Sequence, residues 1–407
     1  KYLSLYNGDT GEWAYQFRFY RHNEWLPLHI NALQYGSSYS FKKTDDVIRR
    51  CLEPHQKTFY ALGSRYKEKS EYALLLSSIA KERLLFLDRN KDHVETHHYL
   101  SVLEKTRYPV KNFRNTANVT ETRSMDSAKS IIDLLPNNHA IVYLAELQND
   151  TALLWHCKSS DTSPLYQLLK KKDSAQSLSF CLKKTKSKRD PEKLIIGLGC
   201  EIQKSSLHGK VYSHYKGNTA VFYSTNHYRL ANKLIDGSYF VNKSTISNIA
   251  LFHPSYQDKS SNLSTKALDR KIAAHKLAVS KIDKFSSAAF TDSSDTIVIV
   301  SHGPECNGVP CIDIGNEKVT IENLAAWPSK AFAGKNILLL VCTASQQLGQ
   351  SGSVLSIPEM LLNKGASLVM ASVDVVRENE FAKVFEDFLR VLEDKPVNYS
   401  KKWRVII

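Results

Sequence analysis

The chain has 407 residues, a hydrophobic content of 42% and a net charge of +14 at pH 7. This length accommodates two or three domains with sizeable cores, and no apolar run approaches the roughly 18 residues that span a bilayer, which argues against a membrane protein. The charge is uneven, because residues 291–407 hold 11 Lys and Arg against 14 Asp and Glu, whereas the upstream part holds 44 against 27. The upstream part therefore either contacts an acidic partner such as a nucleic acid or simply has a basic, well-solvated surface.

The seven cysteines are odd in number and scattered, which argues against a disulfide framework and favours a reducing, cytoplasmic setting. Cys306, Cys311 and His302 lie close together in sequence but lack a second pair of ligands, so we expect neither a metal nor another cofactor. The chain starts at Lys1 and no signal sequence follows it, so we expect a piece of a longer or processed protein.

Residues 1–135 are predicted to form a mixed, mainly helical upstream region. Alternating aromatic and polar residues predict a hairpin or sheet edge up to residue 42. Apolar residues then recur at intervals of three and four, which is the pattern of amphipathic helices. No clean internal repeat is present, so a regular helical solenoid is not established.

Pro136-Asn137-Asn138 breaks the last of these helices, and we place a domain boundary near residue 135. Two apolar runs on either side of a polar turn predict a β-hairpin over 140–156. A mobile basic loop is predicted over 158–193, where lysines cluster without the interleaved aromatic residues on which bases stack. Further along the chain, the sequence predicts strands at 194–197, 219–223 and 246–252, a helix at 267–285 and a polar segment at 286–295.

Residues 290–407 alternate between strands and helices. Short, continuously apolar runs at 297–300 and 337–341 predict strands that are buried on both faces of a parallel sheet, and the helical turn predicted between them at 321–327 completes a βαβ unit. Further elements are predicted as a helix at 357–362, a strand at 367–371, a helix at 378–392 and a strand at 403–407. This pattern predicts an α/β fold with a mostly parallel central sheet.

Each of the two apolar runs ends in a reactive residue type. Ser301-His302-Gly303 follows the first, and Cys342 follows the second. If the two strands are parallel neighbours, His302 and Cys342 emerge side by side at one edge of the sheet, where an imidazole activates a thiol as a nucleophile. The alternative is an inert, buried cysteine that never meets the histidine.

These residues, together with the tract at 362–373 and the aromatic-led strand at 403–407, resemble the CHAT domain. This caspase-like cysteine peptidase module belongs to the clan of caspases, separase and gingipain and is often joined to tetratricopeptide repeats. The resemblance implies a caspase-like α/β sandwich over 136–407, with an N-terminal half at 136–289 and a catalytic half at 290–407. Val341 precedes the nucleophile position where many members have Ala.

The resemblance also implies a mechanism. Cys342 attacks a peptide carbonyl, His302 moves a proton to the leaving amine, and the backbone N–H groups of Gly303 and Cys342 hold the oxyanion. Asp374 and Glu305 are candidate substrate-binding residues that would favour Arg or Lys before the scissile bond, unless both carboxylates are merely solvated.

Such modules often act in prokaryotic defence or cell death. The resemblance implies a protein substrate, and because uncontrolled proteolysis would be harmful, we expect the activity to be gated by an activating protein, ligand or upstream domain. Two alternatives remain open. The first is a catalytically silent scaffold that binds nucleic acid, a nucleotide messenger or a protein through its basic upstream region, and the second is a cysteine hydrolase of non-protein amides.

Overall fold

The computed structural model describes residues 135–146, 151–158, 165–170, 192–198, 220–224, 246–258, 262–306, 309–345, 356–393, 395 and 403–406. The predicted helical region upstream of Leu135 lies outside these residues, and so do the lysine-rich stretches at 171–172 and 183–189. Within the described ranges, no helix has the length and apolar character needed to cross a bilayer.

Most of the strands join one sheet. The strands are β1 (His139–Glu146), β2 (Thr151–Lys158), β3 (Leu165–Lys170), β4 (Lys193–Leu198), β5 (Ala220–Ser224), β6 (Asn248–Phe252), β7 (Ala278–Ile282), β8 (Thr296–Ser301), β9 (Glu305–Cys306), β10 (Val309–Pro310), β11 (Ile312–Asp313), β12 (Lys318–Val319), β13 (Asn336–Val341), β14 (Leu368–Ser372) and β15 (Trp403–Ile406). In the described part of the chain the large sheet has eleven strands, in the order β3-β2-β1-β4-β5-β15-β14-β13-β8-β6-β7. Strands β9 with β10 and β11 with β12 form two short hairpins.

The large sheet consists of two parallel sets that meet in an antiparallel pair. Strands β1, β4, β5 and β15 run parallel to one another, and so do β14, β13, β8, β6 and β7. The two sets join where β14 pairs antiparallel with β15. Hairpin partners β2 and β3 add an antiparallel edge. This architecture confirms the predicted α/β fold with a mostly parallel sheet.

The central strands are buried because their residues are apolar on both faces. Every residue of β8 and of β13 is buried, as expected for parallel strands that are covered on both sides. Strand bounds agree with the sequence prediction to within one or two residues for β1, β4, β5, β6, β8, β13, β14 and β15.

The described helices have at most 12 residues, and three of the five begin with a side-chain N-cap. They are α1 (Lys266–Ala274), α2 (Ser287–Thr291), α3 (Ile321–Ala326), α4 (Ile357–Asn363) and α5 (Phe381–Leu392), the last preceded by a 3-10 turn at Glu378–Glu380. Helix α3 begins with a capping box between Thr320 and Asn323, and α4 begins at the N-cap Ser356 with Pro358 in its first turn. Helix α5 buries Phe381, Val384, Phe385 and Phe388 at helical spacing.

The long helix predicted over 267–285 is wrong. Helix α1 ends at Ala274, Lys276 takes a positive φ of 54°, and residues 278–282 form β7, which pairs parallel with β6. Four of the five β7 residues are exposed, so this edge strand lacks the apolar pattern that distinguishes a buried strand. The pairing with β6 therefore overrides a local helical pattern.

The sequence prediction also missed several smaller elements. Strand β3 lies inside the stretch predicted as a basic loop, α2 lies inside the predicted polar segment, and the hairpins β9–β12 fill the connection between β8 and α3. Such two-residue strands are too short for a periodic signal.

Lys364 is a buried charged residue with a structural role. Its side chain is 1% exposed, and its Nζ donates hydrogen bonds to Ala325 O at 2.6 Å and to Trp327 O at the end of α3. Burial lowers the pKa of this amine. Lys364 thus ties the C-terminal end of α4 to the last turn of α3.

Candidate functional site

The site begins where β8 and β13 end. These strands are parallel neighbours, and Val341 lies opposite Ser301 in their register. His302 follows β8 and Cys342 follows β13, so both residues leave the sheet at the same edge, from strands about 4.8 Å apart. The structure therefore brings together the two residues that the sequence singled out, although 40 positions separate them.

Gly303 brings the two loops into direct contact. A Cβ atom at this position would lie 2.0 Å from Cys342 O and 2.9 Å from Val341 Cγ1. Only a residue without a side chain allows the chain after His302 to pass so closely over the Cys342 peptide.

The Cys342 thiol is partly exposed, and it is the free cysteine among the described side chains. Its sulfur accepts a hydrogen bond from Val376 N at 3.3 Å and donates to Val376 O at 3.8 Å. Both bonds hold the sulfur against the segment that follows β14. Cys311, by contrast, is disulfide-bonded, which the cysteine count did not predict.

The turn that follows β13 is fixed by the same segment. Thr343 N donates to Asp374 O at 3.1 Å, and Ser345 N donates to Ser372 O at 2.8 Å. Thr343 has a φ of +54°, which is unusual for a β-branched residue and stores backbone strain beside the nucleophile position. The turn is therefore held in a conformation that the chain would not adopt unaided.

Asp374 lies beside this turn with an exposed side chain. Its Oδ1 accepts a hydrogen bond from Val375 N at 2.7 Å, and its backbone is held by Ser372 Oγ, which accepts from Asp374 N at 3.1 Å. Glu305 follows His302 by three residues and starts β9, where it pairs with Pro310, but its side chain lies outside the described part of the structure.

Tyr256 contacts His302 and was missed by the sequence analysis. Its hydroxyl accepts a hydrogen bond from His302 N at 3.1 Å and donates to Asp313 O at 3.2 Å. Its ring centroid lies 5.0 Å from that of His302, with a tilt of 57°. Tyr256 follows β6, the neighbour of β8, so the signal that could have found it was the strand order.

The carbonyl of His302 is fixed as firmly as its amide. Asp313 N donates to His302 O at 3.0 Å, and Ser301 Oγ donates to the same oxygen at 3.1 Å. Burial raises the pKa of Tyr256, and its hydrogen bonds with His302 and Ser301 oppose that rise. The phenol therefore stays protonated at neutral pH and remains a donor.

His253 is a second histidine at this edge of the sheet. Its Nε2 is buried without a hydrogen-bond partner among the described residues. Burial lowers the pKa of His253, whereas Asp269 and Glu378 raise it and Lys281 lowers it further.

Comparisons with known proteins show the fold. No protein-family model matches the chain, and no curated protein matches it. Among solved structures it is similar to separase in two crystal structures of the Saccharomyces cerevisiae separase–securin complex. One match has a TM-score of 0.54 at 9% identity and covers 84% of this chain and 34% of the other. The second has a TM-score of 0.52 at 9% identity and covers 95% and 38%.

The chain thus spans about a third of the length of the separase chains it matches. The shared fold is the caspase-like α/β fold. At this level of identity the similarity concerns the arrangement of strands and helices and does not extend to the chemistry of the site.

Proposed function

We propose that this chain is a cysteine endopeptidase that uses Cys342 as nucleophile and His302 as proton carrier. The observation that carries the proposal is the register of β8 and β13, which sends both residues out at one edge, with Gly303 packed on the Cys342 peptide. A thiol and an imidazole on adjacent strand ends have the residue types and the order that acyl transfer needs.

The reaction proceeds in two steps. The Cys342 sulfur bonds to the carbonyl carbon of the substrate while its proton passes to His302, and the C–N bond then breaks as the imidazolium gives that proton to the leaving amine. Water hydrolyses the resulting thioester, which restores the thiol and releases the carboxylic acid. The hydrogen bonds between the Cys342 sulfur and Val376 must break before the sulfur can attack the substrate.

The N–H groups of Gly303 and Cys342 form the oxyanion hole of the proposed enzyme. The neighbouring amide of Thr343 is already bound to Asp374 O, so it does not serve this purpose. Gly303 lies against the Cys342 carbonyl, which puts its backbone within reach of a substrate carbonyl at the same place.

Asp374 and Glu305 select a basic residue before the scissile bond in this proposal. Asp374 supports it with an exposed carboxylate two residues before Val376, whose backbone holds the Cys342 sulfur. A carboxylate at that position pairs with Arg or Lys. Asp374→Asn should lower the cleavage rate after basic residues about tenfold or more, and a library cleaved only after Asp or small apolar residues contradicts the assignment.

At the family level we propose a CHAT domain over 136–407, with halves at 136–289 and 290–407, preceded by a regulatory region at 1–135. A peptidase of this kind requires control by an activating protein, ligand or upstream region. The hydrogen bonds of the Cys342 sulfur to Val376 support gating, because they occupy the nucleophile in this state. Prokaryotic defence or cell death is a setting that the resemblance suggests.

The second candidate is a scaffold without catalysis that binds a nucleic acid, a nucleotide messenger or a protein. Residues 1–290 hold 44 Lys and Arg against 27 Asp and Glu, and this basic excess favours the scaffold. The related separase structures contain the protein securin, which makes a protein partner the natural comparison. Salt-dependent binding that weakens when the lysines of 183–189 are replaced would support a nucleic acid ligand.

The deciding experiment compares wild type with Cys342→Ala on a denatured proteome and identifies new protein N-termini by mass spectrometry. The proposal predicts cleavage that Cys342→Ala and His302→Ala abolish. Cys157→Ala serves as matched control, since Cys157 lies in β2, six positions from β13 along the sheet, and should cleave like wild type. Cleavage by Cys342→Ala, or none by wild type in the presence of its natural activator, would overturn it in favour of the scaffold.

A further inference from the structure

Tyr256 makes contacts that neither the fold nor the proposed dyad requires. It belongs to the loop after β6, and its backbone N–H donates a hydrogen bond to Asn262 Oδ1 at 3.0 Å. From there its side chain reaches across to the end of β8. There its hydroxyl meets His302 N, Asp313 O and, at 3.3 Å, Ser301 Oγ.

We propose that Tyr256 is a positioning residue for His302 and sets the angle at which the imidazole faces Cys342. This inference rests on the proposed peptidase function. Tyr256 holds the histidine in two places, because its hydroxyl accepts from the backbone amide and its ring lies 5.0 Å from the imidazole. A proton carrier must keep its ring oriented within narrow limits, and such dyads use a neighbouring group for that purpose.

The remaining contacts make the support rigid. Asp313 accepts from the Tyr256 hydroxyl and returns a hydrogen bond from its own amide to His302 O at 3.0 Å. Tyr256, Asp313 and His302 thereby form a closed ring of hydrogen bonds that fixes the backbone N–H and the carbonyl of His302. Because Gly303 is packed against the Cys342 carbonyl, a shift of the His302 backbone changes the distance between imidazole and thiol. The support therefore acts on geometry without touching the substrate.

The test uses Tyr256→Phe, which keeps the ring but removes the hydroxyl. With a peptide taken from a cleavage site found for the wild type, we expect kcat to fall roughly tenfold with KM unchanged, since a full ångström of misplacement costs roughly 100-fold. Tyr256→Leu, which also removes the ring, should fall further. Tyr223→Phe is the matched control, because this tyrosine is 2% exposed in β5, four strands from β8.

A second readout needs no substrate. Iodoacetamide alkylation of Cys342, followed across pH by mass spectrometry of the peptide that carries it, reports the influence of His302 on the thiol. The midpoint of that profile in Tyr256→Phe should move toward the midpoint in His302→Ala, while Tyr223→Phe keeps the wild-type profile. A structural role alone would lower the melting temperature and leave the profile of the folded protein unchanged.

The outcomes are separable from those of the peptidase proposal. If Cys342→Ala still cleaves, the peptidase proposal fails. If Cys342→Ala is inactive while Tyr256→Phe retains wild-type kcat and alkylation profile, the positioning role alone is overturned. Should Tyr256→Phe not fold, Tyr256→Trp replaces it, since Trp keeps an aromatic ring and an N–H donor but offers no acceptor to His302 N. Wild-type kcat in that variant likewise overturns the proposal.

Discussion

Gly303→Ala tests the contact on which the candidate site depends. The added Cβ would lie 2.0 Å from Cys342 O, whereas ordinary van der Waals contact begins near 3.4 Å. The obstacle is a backbone carbonyl, which cannot rotate away as a flexible side chain would. The loop after His302 must therefore shift by about 1.4 Å. Overpacking of this kind costs about 1 to 3 kcal/mol of unfolding free energy.

The effect on catalysis should be larger than the effect on stability. A displacement of about 1 Å between imidazole and thiol lowers the rate by roughly 100-fold. The assay pairs urea unfolding with kcat/KM on a substrate peptide. We expect a folded protein that is moderately destabilised and has lost at least roughly 99% of its activity.

Gly334→Ala is the matched control for this substitution. A Cβ at Gly334 meets no atom within 4 Å, but the residue has a φ of +74°. The change should cost about 1 kcal/mol of stability through backbone strain alone. Gly334 precedes β13 at the end opposite to Cys342, about 20 Å away, so kcat should stay at the wild-type value. Equal activity of Gly303→Ala and wild type would refute the reasoning.

Three further predictions concern the surroundings of the site. Thr343→Gly relieves a φ of +54° and should raise the unfolding free energy by about 1 kcal/mol in urea titrations, whereas a loss would show that Thr343 is unstrained. Lys364→Met removes the donor to Ala325 O and should cost about 2 to 3 kcal/mol. Because burial lowers the pKa of Lys364, the unfolded state binds more protons below 10.5, and the advantage of wild type over this variant should grow as pH rises toward that value, so a constant difference would contradict the assignment. Burial lowers the pKa of His253 below 6.5, so the wild type should lose stability as pH falls through that range. In urea titrations from about pH 7.5 to about pH 5, His253→Gln should lose less stability than the wild type. Equal losses in the two proteins would show that His253 is solvated.

The strand ends could be predicted because the local sequence marks them. Continuous apolar runs before His302 and Cys342 identify buried parallel strands, and parallel neighbours must end at one edge. That the two strands are parallel neighbours was the condition of this prediction, and the register of β8 with β13 meets it. The general fold class follows from the same alternation of short apolar runs and helical segments.

Other parts of the site depend on strand order, which no local pattern specifies. Tyr256 reaches His302 only because β6 lies next to β8, although β7 separates the two in sequence. The misassigned segment at 278–282 hid that arrangement, since a helix there would have left β6 without its outer neighbour. The bond between the Cys342 sulfur and Val376 likewise joins segments 34 residues apart.

The sheet itself explains how the tasks of the site are divided. Strands β14, β13, β8 and β6 are adjacent and parallel, and the segment after each carboxyl end supplies one residue, Asp374, Cys342, His302 and Tyr256, in that order. Strand β15 runs the opposite way, so its carboxyl end lies at the other edge of the sheet. The loop after β14 therefore meets the nucleophile from one side, and the loop after β6 meets the histidine from the other. In the proposed peptidase, substitutions at Asp374 should change which peptides are cleaved, whereas substitutions at Tyr256 should slow the cleavage of all of them equally.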